Sequence, residues 1–216
     1  MFIFNRSVEK SIMALLNDLL TQGYTLNDRL KHDQIISFVK KNLARPTPST
    51  IFYVIINVAL VAMLAFHTWR SNLPLDDILS GFGLGIFLTF MLIPIHELIH
   101  GLVYKALGAK EVKYKANFSR FVFYAIADRF VVSGSQLRLI AIAPFVFIST
   151  LLLSLLIFSS GMASFSFMGM LLFHTGACSG DFGLMSYVDM HGQKMITYDD
   201  EAAGESYFLT KPSAQD

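Results

Sequence analysis

The segment His96-Glu97-Leu98-Ile99-His100 places two imidazoles and a carboxylate within five residues. Residues four apart in a helix project from one face, so His96 and His100 can bind the same metal ion. Two histidines are a common part of the ligand set of catalytic Zn²⁺, and Glu97 is placed to act as a general base for water. The motif therefore predicts a zinc centre with His96 and His100 as metal ligands and Glu97 as a catalytic residue.

A catalytic zinc needs a third protein ligand. His174, Cys178 and Asp181 follow at i, i+4 and i+7, which is one face of a helix. Both segments begin on the side of the membrane that the charge distribution below assigns to the exterior. Counted from those beginnings, His96 lies about 19 residues in and Asp181 about 18, so each is ~27–29 Å from the outer membrane surface. We predict Asp181 as the third metal ligand and Cys178 as a small buried residue. His174 is a candidate catalytic residue, as a transition-state donor, and it could also be a ligand or a partner of a ligand.

The elements that must position these residues are apolar helices. Apolar residues make up 54% of the chain and charged residues 15%, against roughly a quarter charged in an average globular domain. Four apolar segments are candidates for transmembrane helices, which need about 20 residues each. They are Ile51–Phe66, Ile78–Ile95, Leu139–Phe158 and Met162–Cys178. Pro94 and Pro144 interrupt two of them, and in a membrane protein neighbouring groups can satisfy the freed carbonyls.

The cationic residues are distributed asymmetrically between the connections. Residues 1–50 hold seven Lys or Arg and so does the 105–138 connection, whereas 67–77 holds one and 159–161 none. The positive-inside rule then places both termini and the 105–138 connection in the cytoplasm. By the same rule the His-Glu-x-x-His motif lies near the cytoplasmic face.

The remaining segments predict a division into three parts. Residues 1–49 form a cytoplasmic segment with two amphipathic helices, which ends at Arg45-Pro46-Thr47-Pro48. Residues 50–187 form the four-span domain, in which Gly81, Gly83 and Gly85 suit helix packing and Gly176 and Gly180 suit close approach of another backbone. Residues 188–216 form a polar cytoplasmic tail, with short strands at Met195–Tyr198 and Tyr207–Leu209 and a disordered end.

The connection between the second and third spans has the pattern of strands. Residues 112–118 alternate between apolar and polar side chains, and 121–127 and 130–132 are rich in strand-forming residues. We predict a small β-hairpin or sheet in the region 112–135, with a turn at Ser133-Gly134-Ser135. The fold class is then a mainly α membrane protein of about four transmembrane helices with a small cytoplasmic hairpin.

The same residues carry a resemblance. The motif through Gly101, followed by Ala143-Pro144 and by His174 through Gly180-Asp181, resembles a family of uncharacterised bacterial membrane proteins described as putative zincin peptidases. That family is distantly similar to the site-2 intramembrane metalloproteases. The resemblance covers roughly residues 75–190, and it implies Zn²⁺ held by the two histidines and the aspartate, with the motif glutamate as base. Site-2 proteases carry the aspartate in Leu-Asp-Gly, whereas here it stands in Ser179-Gly180-Asp181-Phe182-Gly183.

We therefore expect a zinc metalloprotease of the bacterial cytoplasmic membrane that hydrolyses peptide bonds near the cytoplasmic face. Its partners would be the lipid bilayer and a membrane-associated protein or peptide substrate, and no nucleic acid. The edge of strand 112–118 offers a place where an extended substrate could add as a strand. The alternative is a non-catalytic membrane adaptor or pseudoprotease that binds a partner helix. A metal transporter fits less well, because the sequence has no repeated halves.

Overall fold

The chain folds into a group of helices with two small antiparallel sheets, seen in a computed structural model that describes residues 14–117 and 122–212. Helices α1 to α7 span residues 14–21, Ile35–Leu43, Pro48–Arg70, Leu75–Ala106, Gly134–Ile157, Met162–Ala177 and Ser179–His191. Strands β1 to β6 span Thr25–Lys31, Lys113–Asn117, Val122–Ile126, Val132–Ser133, Ile196–Asp200 and Glu205–Thr210. The predicted class, mainly α with a small β component, is confirmed.

Within the described residues, three helices are long and apolar enough to cross a membrane. They are α3, α4 and α5, with 23, 32 and 24 residues, against the roughly 20 that a crossing needs. Their outer faces expose large apolar side chains, and Ile55, Phe87 and Phe147 are each between 61% and 63% exposed. Such faces are suited to lipid rather than to water.

The fourth predicted span corresponds to helix α6, which has only 16 residues and a length of about 24 Å. It packs against α4 and α5. At Cys178 the backbone leaves the helical region, with φ −66° and ψ 4°, and α7 begins at the next residue. The structure confirms a helix in this segment, and a fourth membrane crossing stays a prediction.

Glycines allow α6 to approach α4 closely. A Cβ at any of three positions would strike the backbone of the facing helix, and these are Gly81, Gly85 and Gly169. The predicted packing role is thus confirmed for two of the three glycines of α4, while Gly83 faces open space. The close approach predicted at Gly176 and Gly180 is wrong, since nothing lies within 4 Å of a Cβ built there. Small residues permit a close contact but do not require one.

The predicted hairpin is present, and β2 pairs with β3 from Lys113 opposite Ile126 to Asn117 opposite Val122. The second sheet has the order β1-β6-β5-β4 and contains both strands that were predicted in the tail. Strand β1 was not expected, because only Leu30 of its seven residues is buried and its own pattern is weak. Its pairing with β6 supplies the strand, and it joins the N-terminal segment and the tail in one sheet.

Helix α5 begins earlier than its apolar run. Ser133 caps the helix by accepting a hydrogen bond from the Gln136 amide, and the Gln136 side chain bonds back to the Ser133 backbone. The turn predicted at Ser133-Gly134-Ser135 is therefore wrong. Serine and glycine are frequent in turns and at helix N-termini alike, and Gln136 at the third helical position was the signal for the cap.

The hairpin is held against the helices and against the second sheet. The hydroxyl of Tyr114 on β2 lies where a Cβ of Gly101 would stand, so the last residue of the motif segment makes room for the hairpin. Lys113 and Lys115 form ion pairs with Glu201, at 2.5 and 3.0 Å, in the turn between β5 and β6. The hairpin is therefore fixed on the motif side of α4.

The flanking predictions fall partly outside the described residues. The second predicted amphipathic helix is confirmed as α2, and the described part of the first is α1. The start of that first helix lies outside the described residues, as does the predicted disordered end of the tail at 213–216.

Candidate metal centre

Helix α4 presents both motif histidines on one face, and α7 brings Asp181 to the same point. The Nε2 atoms of His96 and His100 are 3.1 Å apart. Asp181 faces both rings, with Oδ2 3.2 Å from His96 Nε2 and Oδ1 3.2 Å from His100 Nε2. The structure thus brings together the three residues predicted as metal ligands, which we call the metal centre.

Asp181 is placed by the start of helix α7. It lies in the first turn of that helix, where the positive end of the helix dipole favours a carboxylate. Buried hydrogen bonds fix α7 to the junction of α2 and α3. Thr47 donates to Ser186 at 3.0 Å, and Ser186 donates to the carbonyl of Asn42 at 2.8 Å. Asp181 is therefore positioned by α7, which is in turn fixed to α2 and α3 through Ser186.

A proline in helix α5 orients His100. In a regular helix the amide of residue 144 would bond to the carbonyl of residue 140, but Pro144 has no N–H. The freed carbonyl of Ile140 instead accepts a hydrogen bond from His100 Nδ1 at 2.9 Å. A carbonyl can only accept, so Nδ1 carries the proton and, in the neutral ring, Nε2 presents a lone pair to the metal centre. Metal-ligating histidines usually have such an acceptor bonded to the ring nitrogen that does not bind the metal, and it fixes their tautomer and orientation.

The converging atoms of these three residues fit Zn²⁺ in separation and in chemistry. Ligands 2.0–2.1 Å from a tetrahedral zinc are about 3.3 Å apart. The two histidine Nε2 atoms are 3.1 Å apart, and each is 3.2 Å from one oxygen of Asp181. His100 Nε2 and an ionised Asp181 are both electron-pair donors, and they require a cation between them. A single proton can bridge two of the three residues, whereas a metal ion binds all three.

Glu97 lies beside the metal centre with one oxygen unpaired. Its Oε2 is buried and has no hydrogen-bond partner among the described residues. The backbone amide of Ala125 on β3 hydrogen-bonds the same carboxyl group. A buried carboxylate oxygen without a partner is costly, and a water hydrogen-bonded to this oxygen would lie beside the two histidines. Glu97 also belongs, with His96 and His100, to a group of side chains spaced to hold a metal ion.

His174 lies next to the metal centre and outside its contacts. The centroid of its ring is 5.7 Å from that of His96, and its Nε2 is 3.8 Å from Cys178 Sγ. Cys178 has no exposed surface, as predicted for a small buried residue. Asp181, not His174, is therefore the residue in contact with both motif histidines.

Three cavities meet at Glu97. One is a groove of about 660 Å³ between α4 and the hairpin, which we call the lateral groove. It is lined by Phe90, Ile93, Pro94, Glu97, Leu98, Tyr114, Lys115, Ala116 and Phe123. A second, the inner cavity, has about 270 Å³ and reaches His96, His174 and Ala177. A third, of about 170 Å³, reaches His96, His100 and Asp181. Glu97 and Phe123 line all three, so a segment lying in the groove would end beside the unpaired carboxylate oxygen.

The comparison with protein families agrees with this geometry. Residues 89–193 match the model of a family described as "putative zincin peptidase". The resemblance inferred from the motif is confirmed for that stretch, which includes the metal centre, the hairpin and all of helices α5, α6 and α7. No curated protein and no solved structure gives a significant match to the chain.

Two groups that orient His100 and Glu97 were not predicted from the sequence, because they are backbone atoms. The carbonyl of Ile140 and the amide of Ala125 have no signal in residue type, since every non-proline residue carries both groups. For Ile140 there was an indirect signal four residues later, in Pro144 within an otherwise continuous apolar run. For Ala125 there was none, because its position depends on how the hairpin packs on α4.

Proposed function

We propose that this chain is a membrane-embedded zinc metallopeptidase that hydrolyses peptide bonds of membrane-associated proteins or peptides. The observation that carries the proposal is the convergence of His96, His100 and Asp181 beside a buried, unpaired oxygen of Glu97. Four other buried side-chain atoms of the described residues are also unpaired, but of these five residues only Glu97 belongs to a group of side chains spaced to hold a metal ion. The match of residues 89–193 to a family described as zincin peptidase supports the same conclusion.

The proposed mechanism gives each residue one task. His96, His100 and Asp181 would hold Zn²⁺, which when bound supplies a Lewis acid that polarises a carbonyl and acidifies water. Glu97 accepts the proton of the attacking water and then delivers it to the leaving amine. We assign His174 no proton transfer, because its ring lies outside the contacts of the metal centre, with its centroid 5.7 Å from that of His96.

The substrate is proposed to lie in the lateral groove as an added strand. Within the described residues β2 pairs only with β3, so no second strand covers the outer edge of Lys113 to Ala116. The groove beside it is mainly apolar and reaches Glu97. An extended, apolar segment leaving the membrane would gain backbone hydrogen bonds from β2 and contacts from Phe90 and Phe123. Proline substitution at each position of 113–117 should lower cleavage where the lost N–H faces outward, and undiminished cleavage throughout would rule this docking mode out.

The proposed orientation in the membrane and the proposed location rest on the charge distribution and on the family resemblance. The positive-inside rule supports cytoplasmic termini, with the hairpin and the metal centre at the cytoplasmic side of the membrane. Helix α6, continued by α7, would then be the fourth crossing. The cytoplasmic membrane of a bacterium is the proposed location, by the resemblance described above. Cysteine-scanning accessibility of positions in the 67–77 and 105–138 connections would test the orientation, since the two connections should label from opposite sides.

Substitution of the general base tests catalysis directly. Glu97→Gln should retain zinc and lower the rate of peptide cleavage by about 10²–10⁴-fold, the usual contribution of a positioned base. Glu111→Gln is a matched control, because Glu111 is exposed and outside the metal centre. Zinc analysis of the wild type beside His96→Ala and Asp181→Ala tests the ligands. A metal-free wild type, or full cleavage by Glu97→Gln, would contradict the proposal, and zinc binding with no cleavage would favour the pseudoprotease.

A further inference from the structure

A second group of metal-ligating atoms lies next to the metal centre. His96, His174 and Cys178 each offer a ligand atom, and these atoms are all within 4.8 Å of one another. His174 and Cys178 stand one helical turn apart at the end of α6 and face α4. Both are almost fully buried, with 2% and 0% of their surfaces exposed. The group uses neither His100 nor Asp181.

The geometry of His174 and Cys178 suits two ligands of one ion. Cys178 packs among Ala141, Phe145 and Phe182, as a buried cysteine usually does. Its sulfur nevertheless faces a ring nitrogen, with Sγ 3.8 Å from His174 Nε2. Sulfur and nitrogen ligands of one tetrahedral zinc are about 3.6 Å apart, given bonds of about 2.3 and 2.0–2.1 Å.

The two histidines of this group share an open space. The inner cavity, lined by His96 and His174, gives an ion and its waters room beside these rings.

We propose that His96, His174 and Cys178 form a second metal position, which takes a soft divalent cation such as Cd²⁺ or an additional Zn²⁺. Thiolate sulfur selects soft cations. Binding converts the Cys178 thiol to a thiolate, and the released proton goes to solvent, one proton for each cation bound. His96 belongs to both groups, so a cation in the second position competes for its ring with the metal centre. Soft cations should therefore weaken zinc binding at the metal centre.

Cadmium titration of the purified, metal-stripped full chain tests the second position without any assay of activity. Cys178 is the only cysteine of the chain, so an ultraviolet thiolate-to-cadmium charge-transfer band can arise only from it. The wild type should develop this band with one equivalent of Cd²⁺. Cys178→Ser should abolish it, and His174→Ala should weaken the affinity by at least about tenfold. Circular dichroism and size-exclusion elution would confirm that each variant is folded.

A variant of the first site separates this proposal from the proposed peptidase. His100→Ala removes a ligand of the metal centre and leaves the second group complete, so it should lose zinc at the metal centre and keep the cadmium band. Cys178→Ser should do the reverse, keeping one zinc and losing the band. Absence of the band in the wild type, unchanged affinity in His174→Ala, or loss of the band in His100→Ala would each overturn the proposal. Failure of Glu97→Gln to affect cleavage would refute the peptidase and leave this result untouched.

Discussion

Replacing Pro144 by alanine should weaken zinc binding while it stabilises the helix that contains it. The proline leaves the carbonyl of Ile140 without its helical donor, and that carbonyl accepts the hydrogen bond from His100 Nδ1 at 2.9 Å. Alanine restores an N–H one turn away. The carbonyl would then align with the helix axis and away from the His100 ring, so the ring would lose the bond that fixes its tautomer and direction.

The two effects have opposite signs, and their sizes can be stated. Loss of a hydrogen bond behind a ligating histidine costs about 10–100-fold in metal affinity, or about 1.4–2.7 kcal/mol. A proline within a helix costs about 3 kcal/mol, so its removal should stabilise the metal-free protein by up to that amount. Zinc affinity, measured by competition with a chromophoric chelator, should therefore fall as the unfolding temperature of the metal-free protein rises.

Ile140→Val is the matched control, because it changes the side chain and keeps the carbonyl. It should leave zinc affinity unchanged and lower stability slightly. If Pro144→Ala bound zinc as tightly as the wild type, the carbonyl of Ile140 would not be what orients His100. If Ile140→Val weakened zinc binding as much as Pro144→Ala, packing around α5 would account for both effects and the argument from the freed carbonyl would fail.

Two further predictions concern the scaffold. Gly85→Ala should destabilise the protein by about 1–3 kcal/mol, because its Cβ would overlap the backbone of α6. Gly83 faces open space, so Gly83→Ala should be neutral or stabilising by up to ~1 kcal/mol. Equal unfolding temperatures of the two variants would contradict this prediction. Burial would raise the pKa of Glu205, but hydrogen bonds from Arg29 and Tyr207 outweigh it and hold that pKa below 4.5. A carboxyl group whose pKa is lowered by folding stabilises the protein at pH values above its pKa in the unfolded chain. That stabilisation is lost as the pH falls through its pKa in the folded protein. Acid below about pH 4.5 should therefore destabilise the wild type more than Glu205→Gln, and identical pH profiles of unfolding would refute the assignment.

The parts of the fold that could be predicted were those with strong local signals. Long apolar runs gave the positions of α3, α4 and α5, and strict alternation gave β2. The start of α5 was misplaced by five residues, because Gly134 to Arg138 contain only one large apolar residue, Leu137, and the helix extends beyond its apolar run. Strand β1 was missed because its polar residues become a strand only by pairing with β6, which lies some 180 residues away in the chain.

The proximity of His96, His100 and Asp181 was predicted for a different reason. The motif residues lie on one helix, so their relative placement depends on helical geometry alone. Asp181 lies on another helix, and equal depth along two apolar segments restricted its position along one axis, which was enough to bring it near. Depth does not fix the rotation of a helix about its axis. The sequence therefore could not show that Asp181, rather than His174, contacts both motif histidines.

Gly101 links the motif to the rest of the proposed active site. The hydroxyl of Tyr114 occupies the space where a side chain at position 101 would stand, so this glycine sets how close the hairpin comes to α4. The paired strand β3 then delivers the amide of Ala125 to Glu97, and β2 forms the wall of the lateral groove. One small residue thus couples three requirements: the base is oriented, the groove is formed, and a strand edge lies beside the metal centre. A peptidase needs all three together, whereas a metal site that served only stability would need none of them.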